Sequence, residues 1–353
     1  MNSEGNHCAA IPLVEVRRGA MTESRHRGFI AVVDAEGEIL ASLGKIETRT
    51  WYRSAAKPFQ TIPIIVSGAA EHYELSDQEL AVITGSHSGE NIHLEAVSSI
   101  LRKIGLSSAD LLCGVHPPFD SAAAKQLQAE DRQPQVLHNN CSGKHAGMLA
   151  FAKFIGEPTA NYIDPQHSIQ CQIRIVLARF ADVPVNEIAI AIDGCSAPVF
   201  GVSLEAMARS YAQLVAVRQA DIEQPELPSL AAAAERVVRA MTQFPEMVGG
   251  SYGRLDTDLM RASRGQIVSK VGAEGMQLLG VRPCPQYPKG LGIAIKVEDG
   301  DTRRARDPVV IETLRQLGVL DQNQLAQLAP YGHSTIFNHR GLEVGEVRTC
   351  FNL

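Results

Sequence analysis

Strand-like and helix-like patterning are segregated along this 353-residue chain, and that segregation constrains the fold more than any single motif does. Leu13-Val14-Glu15-Val16 and Gly28-Phe29-Ile30-Ala31-Val32-Val33 are strand-like runs. The second leads through the turn Asp34-Ala35-Glu36-Gly37 into Glu38-Ile39-Leu40-Ala41, which predicts a hairpin. From Ser54 onward helical spacing takes over. Ser76-Asp77-Gln78-Glu79 is a capping box, and helices are expected over 91–104, 141–154, 168–180, 204–215 and 230–241. One apolar run, Ile188 to Ile192, interrupts them as a buried strand ending at Asp193-Gly194. Strands return over 266–270, 291–297 and 342–347, with a helix over 306–317.

Strands at both ends and helices between them predict an α/β (α+β) fold. Its antiparallel sheet is built from both termini and flanked by helices, with a helical lobe inserted. The expected division is a single domain over 1–353, with an α/β lobe of 1–53 plus 260–353 and a helical lobe of 54–259. The stretch Gln219 to Ser229, with Pro225 and Pro228, is expected to be a surface connection.

Composition narrows the function classes. A chain this long can bury a sizeable core, and 45% hydrophobic with 20% charged residues is ordinary for a globular protein. A net charge of −6 without a long basic run argues against nucleic acid or an anionic membrane as the main partner. No apolar run approaches the ~20 residues of a membrane span. The start, Met1 to Cys8, lacks a basic segment followed by an apolar one, so no signal peptide is expected. The cysteines number 7, an odd count without close pairs, which fits a reduced, cytoplasmic setting better than a disulfide framework.

Ser54-Ala-Ala-Lys57 heads an apolar run. On a helix, residues three apart share a face, so the Lys57 amine is placed to take the proton of the Ser54 hydroxyl, a weak nucleophile until a base does so. Ser42-Leu-Gly-Lys45 has the same spacing but follows a strand-like run, where such positions face opposite ways; it is expected to be accidental. Downstream lie a Gly-flanked polar loop, Thr84-Gly85-Ser86-His87-Ser88-Gly89, and the strand-borne Lys270-Val271-Gly272-Ala273. A nucleophile on a helix, a serine on a loop and a lysine on an edge strand, in that order, match the layout of penicillin-recognising serine acyltransferases.

With these segments in view, nearly the whole chain resembles the rhizobial-type (class 3) L-asparaginases, also called asparaginase II, which are related in fold to serine β-lactamases, penicillin-binding proteins and bacterial glutaminases. The resemblance rests on Arg53-Ser-Ala-Ala-Lys-Pro-Phe59, Gly85-Ser-His-Ser-Gly-Glu90, Asn139-Asn-Cys-Ser-Gly-Lys-His145, Asp193-Gly-Cys-Ser-Ala-Pro198 and Lys270-Val-Gly-Ala-Glu-Gly275. It implies a single catalytic domain that hydrolyses L-asparagine to L-aspartate and ammonia. Ser54 would be the nucleophile and Lys57 the base, neutral through burial and the nearby charge of Lys270. Ser86, paired with Lys270, would relay a proton to the leaving ammonia, and the N–H groups of Ser54 and Ala273 would form the oxyanion hole.

Cys141 and Lys144 lie three apart at an expected helix start, and Cys195 follows the interrupting strand. From the residues alone, buried structural cysteines account for this pattern. The resemblance implies a zinc site of Cys141, Lys144 and Cys195, completed by water. His145 is a candidate neighbour of the site, while His87, His93, His116 and His138 are expected to be satisfied structurally. Asp193 and Glu274 are both candidates for the substrate ammonium, with turn capping an alternative for Asp193. The resemblance also implies a homodimer. The competing readings are a glutaminase or β-lactamase-like amide hydrolase, and a non-catalytic amino-acid or zinc-binding protein on the same scaffold.

Overall fold

The run Gly28–Val33 shows no polar alternation because both of its faces are covered. Phe29, Ala31 and Val33 belong to one hydrophobic cluster, and Ile30 and Val32 to another, since successive side chains of a strand point to opposite faces. The structure, a computed structural model, describes residues 10–216 and 230–353; the expected connection over Gln219–Ser229 lies outside them. The chain begins with β1 (Ile11–Arg18), β2 (Met21–Val33), β3 (Ile39–Leu43) and β4 (Arg49–Trp51). β5 (Ala189–Ile192) and β6 (Pro198–Ser203) lie among the helices. β7 (Ile267–Val271), β8 (Met276–Val281), β9 (Leu291–Val297), β10 (Ser334–Phe337) and β11 (Glu343–Thr349) follow.

The main sheet has the order β10-β11-β1-β2-β9-β8-β7, with β3 also paired to β2, and its pairings are antiparallel. It is a mixed α/β fold whose sheet comes from both ends of the chain, as the sequence pattern predicts. The 13-residue β2 is its spine: β1 and then β3 pair along its length, while β9 pairs with residues 28–33. One face carries the helices of the middle segment. The other is covered by Val309, Val310 and Leu314 of the helix Asp307–Gln316, together with Leu255 and Leu259.

Four strands, β4, β6, β8 and β10, lie where the sequence reading expected none, and two further features depart from it. β5, expected to be buried, is an edge strand of a small sheet ordered β4-β6-β5, and Ile192 is 61% exposed. An apolar run of this length does not by itself say how many neighbours it has. The polar stretch Arg17 to Arg27 is also strand, turning at Gly19. There the cross-strand pair Arg25–Glu15 at 3.0 Å and the ion pair Arg18–Glu23 at 3.1 Å replace the apolar signal. The hairpin at Asp34 forms as expected, its Oδ1 accepting from the N–H groups of Glu36 and Glu38, each at 2.9 Å. Ser42 is exposed on β3 and Lys45 is exposed beyond it, so that copy of the motif brings nothing together.

The helix Leu204–Val215 joins the sheet to the region of Ser54. It lies against Gly280 and Gly292, which pair across β8 and β9. A Cβ at Gly292 would sit 1.7 Å from the Ala208 carbonyl oxygen, and one at Gly280 would sit 2.6 Å from Val215 Cγ1. From the same helix, Tyr211 donates to the Ala55 carbonyl at 2.8 Å, and Ser210 Oγ accepts from Tyr52 at 3.0 Å. Close approach of helix to sheet therefore sets the height of the Ser54 turn. Gly292→Ala should destabilise the fold by about 3 kcal/mol through overpacking. Gly332→Ala, where the new carbon would find its nearest neighbour at 3.6 Å, should change little; paired urea denaturation curves measure both.

Candidate active site

A tight turn puts Ser54 and Lys57 on one wall. Arg53–Ala56 is a 3-10 turn, in which positions three apart eclipse one another. The α-helix Lys57–Val66 continues from it, with Pro58 in the first turn, where the missing N–H is tolerated. Arg53 takes a left-handed conformation, φ 50°, and its Nε donates to Asp193 Oδ1 at 2.9 Å.

Lys57 Nζ donates to the Gly85 carbonyl, to Ser86 Oγ at 3.1 Å and to the Asn140 carbonyl at 3.4 Å. Lys270, on β7, donates to Ser86 Oγ at 2.9 Å and to the Val271 carbonyl at 3.0 Å. Both amines therefore converge on one hydroxyl, and all three side chains are buried. The expected Ser86–Lys270 pair is direct. Lys57 meets Ser86 by hydrogen bond, and among the described residues no side-chain bond joins it to Ser54, its neighbour on the turn.

A hydroxyl has two lone pairs and one proton. Two ammonium groups would occupy both lone pairs and leave the Ser86 proton without an acceptor, whereas one neutral amine accepts it. Burial drives both lysines in that direction. Desolvation lowers the pKa of Lys57. Lys270 is pushed down to about 7 by burial, with Asp256 opposing and the charges of Lys57 and Arg254 adding to the shift.

Ser86 is held by its backbone. Its N–H donates to the Val248 carbonyl at 2.8 Å, and its carbonyl accepts from Arg254 Nη2 at 3.0 Å. Arg254 Nη1 also donates to Ser88 Oγ at 2.8 Å. Across the cleft, Gly272 N–H donates to the Met276 carbonyl at 2.9 Å. Among the described residues, neither the Ser54 nor the Ala273 N–H donates to a backbone carbonyl outside regular structure.

Cys141 caps the helix Ser142–Phe154, with Lys144 in its first turn. Gly143 lets this helix touch its neighbour: a Cβ there would lie 2.3 Å from the Val82 carbonyl oxygen. Cys195 sits on the turn after β5, and Lys144 Nζ donates to its sulfur at 2.9 Å. All three are buried. The neighbouring Cys195 drives the Cys141 thiol well below the usual thiol range, whereas Cys141 and burial raise that of Cys195. Burial disfavours the charge on Lys144, but the Cys195 and Cys141 sulfurs outweigh it and raise its pKa. Among the described residues no trio of His, Cys, Asp and Glu converges as a metal site, so Cys141, Cys195 and Lys144 are the donors to weigh. Two adjoining sulfurs and an amine fit zinc in kind, on condition that the metal displaces their protons.

His145, on the same turn, is buried among these groups. Its Nδ1 meets the Tyr162 hydroxyl at 2.7 Å, and that oxygen already accepts the Leu112 N–H at 2.8 Å. Tyr162 therefore donates to Nδ1, which leaves the proton on Nε2, a buried atom without a clear partner. Burial lowers the ring's pKa to about 4, so it is neutral and presents a donor towards Cys195. Asp193 is taken up by Arg53 and by the Gly194 N–H at 2.8 Å. Glu274 is largely exposed, 3.9 Å from Arg53 Nη1. Arg53 thus stands between both candidate carboxylates, a role the sequence reading missed although Arg53 adjoins Ser54. Arg254 and Asp256 were also missed, and no motif marks them. His87 and His93 stack at 4.9 Å and, like His138, bond to backbone or to Ser142.

The profile of the L-asparaginase II family matches residues 14–349, nearly the whole chain. The chain belongs to that family, which consists of amidohydrolases. No curated protein matches the sequence. Among solved structures, Mglu is similar at 15% identity and a TM-score of 0.42, over 83% of this chain and 66% of that one. Mglu in its native form gives 15% and 0.37, over 80% of this chain and 62% of that one. The chain thus spans just under two thirds of Mglu's length. The Bacillus subtilis glutaminase YbgJ, in covalent complex with 5-oxo-L-norleucine, is similar at 12% identity and a TM-score of 0.35, over 78% and 81%. Likenesses this distant carry no argument about the reaction. Among the described residues no helix is long and apolar enough to cross a membrane.

The lowered pKa of Lys270 has a consequence for stability. Its folded value of about 7 lies below the unfolded value of ~10.4. Between the two, the unfolded chain holds a proton that the folded one has lost, so this group's contribution to stability rises with pH. The stability of wild type relative to Lys270→Met should therefore increase from pH 7 to pH 10, by on the order of a few kcal/mol. Chemical denaturation of both proteins at each pH measures it.

Proposed function

We propose that this protein is an L-asparaginase that converts L-asparagine to L-aspartate and ammonia through an ester on Ser54. The observation that carries the reading is the convergence of Lys57 and Lys270 on Ser86 Oγ, at 3.1 and 2.9 Å, beside the Ser54 turn. Ser54 Oγ attacks the side-chain carboxamide carbon and its proton passes to Lys57. The N–H groups of Ser54 and Ala273 stabilise the oxyanion. The C–N bond breaks as Ser86, resupplied by Lys270, gives the departing nitrogen the proton it needs to leave as ammonia. Water then cleaves the ester and restores the Ser54 hydroxyl.

In this reading Arg53 would meet the substrate carboxylate and Asp193 or Glu274 its ammonium, with His145 a further substrate-binding candidate as a neutral donor. Cys141, Lys144 and Cys195 would hold zinc, which when bound supplies positive charge beside the substrate pocket. A homodimer, implied by the resemblance to class 3 asparaginases, and a cytoplasmic setting, suggested by the odd cysteine count without close pairs, belong to the same proposal.

Ser54→Ala should reduce ammonia release from L-asparagine by at least about 1000-fold while leaving the melting temperature near wild type. Ser42→Ala should retain full activity. Wild-type turnover by Ser54→Ala would refute the assignment, and faster release from L-glutamine would move the substrate. For the metal, elemental analysis of protein purified without added zinc should find about one zinc per chain, falling in Cys141→Ser and Cys195→Ser and as pH drops. Those variants should raise KM more than they lower kcat. Metal-free protein with full activity would return both cysteines to a purely structural role.

A further inference from the structure

Asp256 is enclosed, 2% exposed, at the start of the helix Leu255–Ala262. Its Oδ1 accepts from Ser269 Oγ at 2.7 Å and from Gln277 Nε2 at 2.8 Å, and its Oδ2 accepts the Val271 N–H at 2.9 Å. Ser269 and Val271 flank Lys270, so the carboxylate grips β7 on both sides of that residue. β7 ends the sheet, and Asp256 satisfies an N–H on its open edge.

All three donors are neutral, and none of them by itself requires a full negative charge. The charge therefore needs another reason, and Lys270 supplies it. The charged and titratable groups acting on Lys270 are Asp256 from the helix behind the strand, Lys57 from the Ser54 helix, Arg254 and Cys141. Asp256 is the carboxylate among them. Its own pKa is lowered despite burial, by Lys270 and by these hydrogen bonds, so it is ionised.

We propose that Asp256 is a positioning residue which, as buried counter-charge bonded to β7 on both sides of Lys270, keeps a proton on that lysine. The proposal rests on the reading of Ser86 and Lys270 as the relay to ammonia. It assigns a function to a residue outside every recognised motif: without the carboxylate, Lys270 would lose its proton at lower pH and Ser86 would not be resupplied.

The test is Asp256→Asn. Gln277 Oε1 is buried without a partner, so turning the Gln277 amide over lets it accept from the new NH2 group while the new oxygen accepts from Val271. Charge is removed and the strap is kept. Lysine carrying a carbon-13 label at Cε reports the Lys270 titration by NMR, assigned by comparison with Lys270→Met and independent of activity. In Asp256→Asn the midpoint should fall by about 1 pH unit or more. The basic limb of kcat/KM for asparagine should move acidward with it, so that activity lost at pH 8 is largely recovered at lower pH.

Ser269→Ala, which cuts one bond of the strap and keeps the charge, should leave the midpoint in place. Asp256→Ser, smaller and also neutral, applies the same test should the amide variant not fold. An unmoved midpoint in the neutral variants, or an equal loss of activity at every pH, overturns the proposal. A shifted midpoint in a protein that hydrolyses no asparagine overturns the functional reading and not the link between Asp256 and Lys270.

Discussion

Two buried lysine amines meeting on one serine hydroxyl is the arrangement on which the rest of this structure depends. Like charges in a dry site repel, and neither lysine has water to stabilise its ammonium form. The pair relieves this by giving up a proton, and Ser86 is a group that can donate to one amine while accepting from the other. The lowered pKa values of Lys57 and Lys270 are thus a consequence of geometry. They favour a neutral amine beside Ser86 without a histidine to accept its proton.

Holding that geometry explains much of the surrounding fold. Lys57 comes from the first turn of a helix, Ser86 from an irregular segment pinned between Val248 and Arg254, and Lys270 from an edge strand. The Ser54 turn is fixed further by contacts away from the Ser86 hydroxyl. The glycine pair Gly280/Gly292 lets the helix Leu204–Val215 press on the sheet, and Tyr211 carries that position to Ala55. Burying these polar groups costs stability, and the two apolar clusters on either face of the sheet offset it. The cysteine pair has the same character: Cys195 accepts from Lys144, and the Cys141 thiol is driven below its usual range beside them, so charge in the second cluster is also held by close contact away from water.

The parts of the site that were legible in the sequence share one property. Ser54 with Lys57, and Cys141 with Lys144, are close in sequence, so helical spacing alone puts them together. Ser86, Cys195 and Lys270 were found through short segments whose residue types carry chemistry. Arg53, Arg254 and Asp256 were not found, because each acts through partners 140 or more positions away or on a strand that it does not belong to. β5 was misjudged for a related reason: an apolar run reports what a strand prefers, while its place at a sheet edge depends on what lies beside it.

By itself the sequence determined most of the order of strands and helices and the chemical inventory of the site. These follow from local periodicity and residue type, which act over a few residues. Tertiary structure decided that Lys57 and Lys270 share Ser86, that Lys144 meets Cys195, and that Asp256 lies behind Lys270. The first two join segments 29 to 184 residues apart, and the third crosses from a helix to the strand that follows it. Their consequence, a lysine pKa near 7 in place of the usual ~10.4, arises only from burial and from charges brought close by folding.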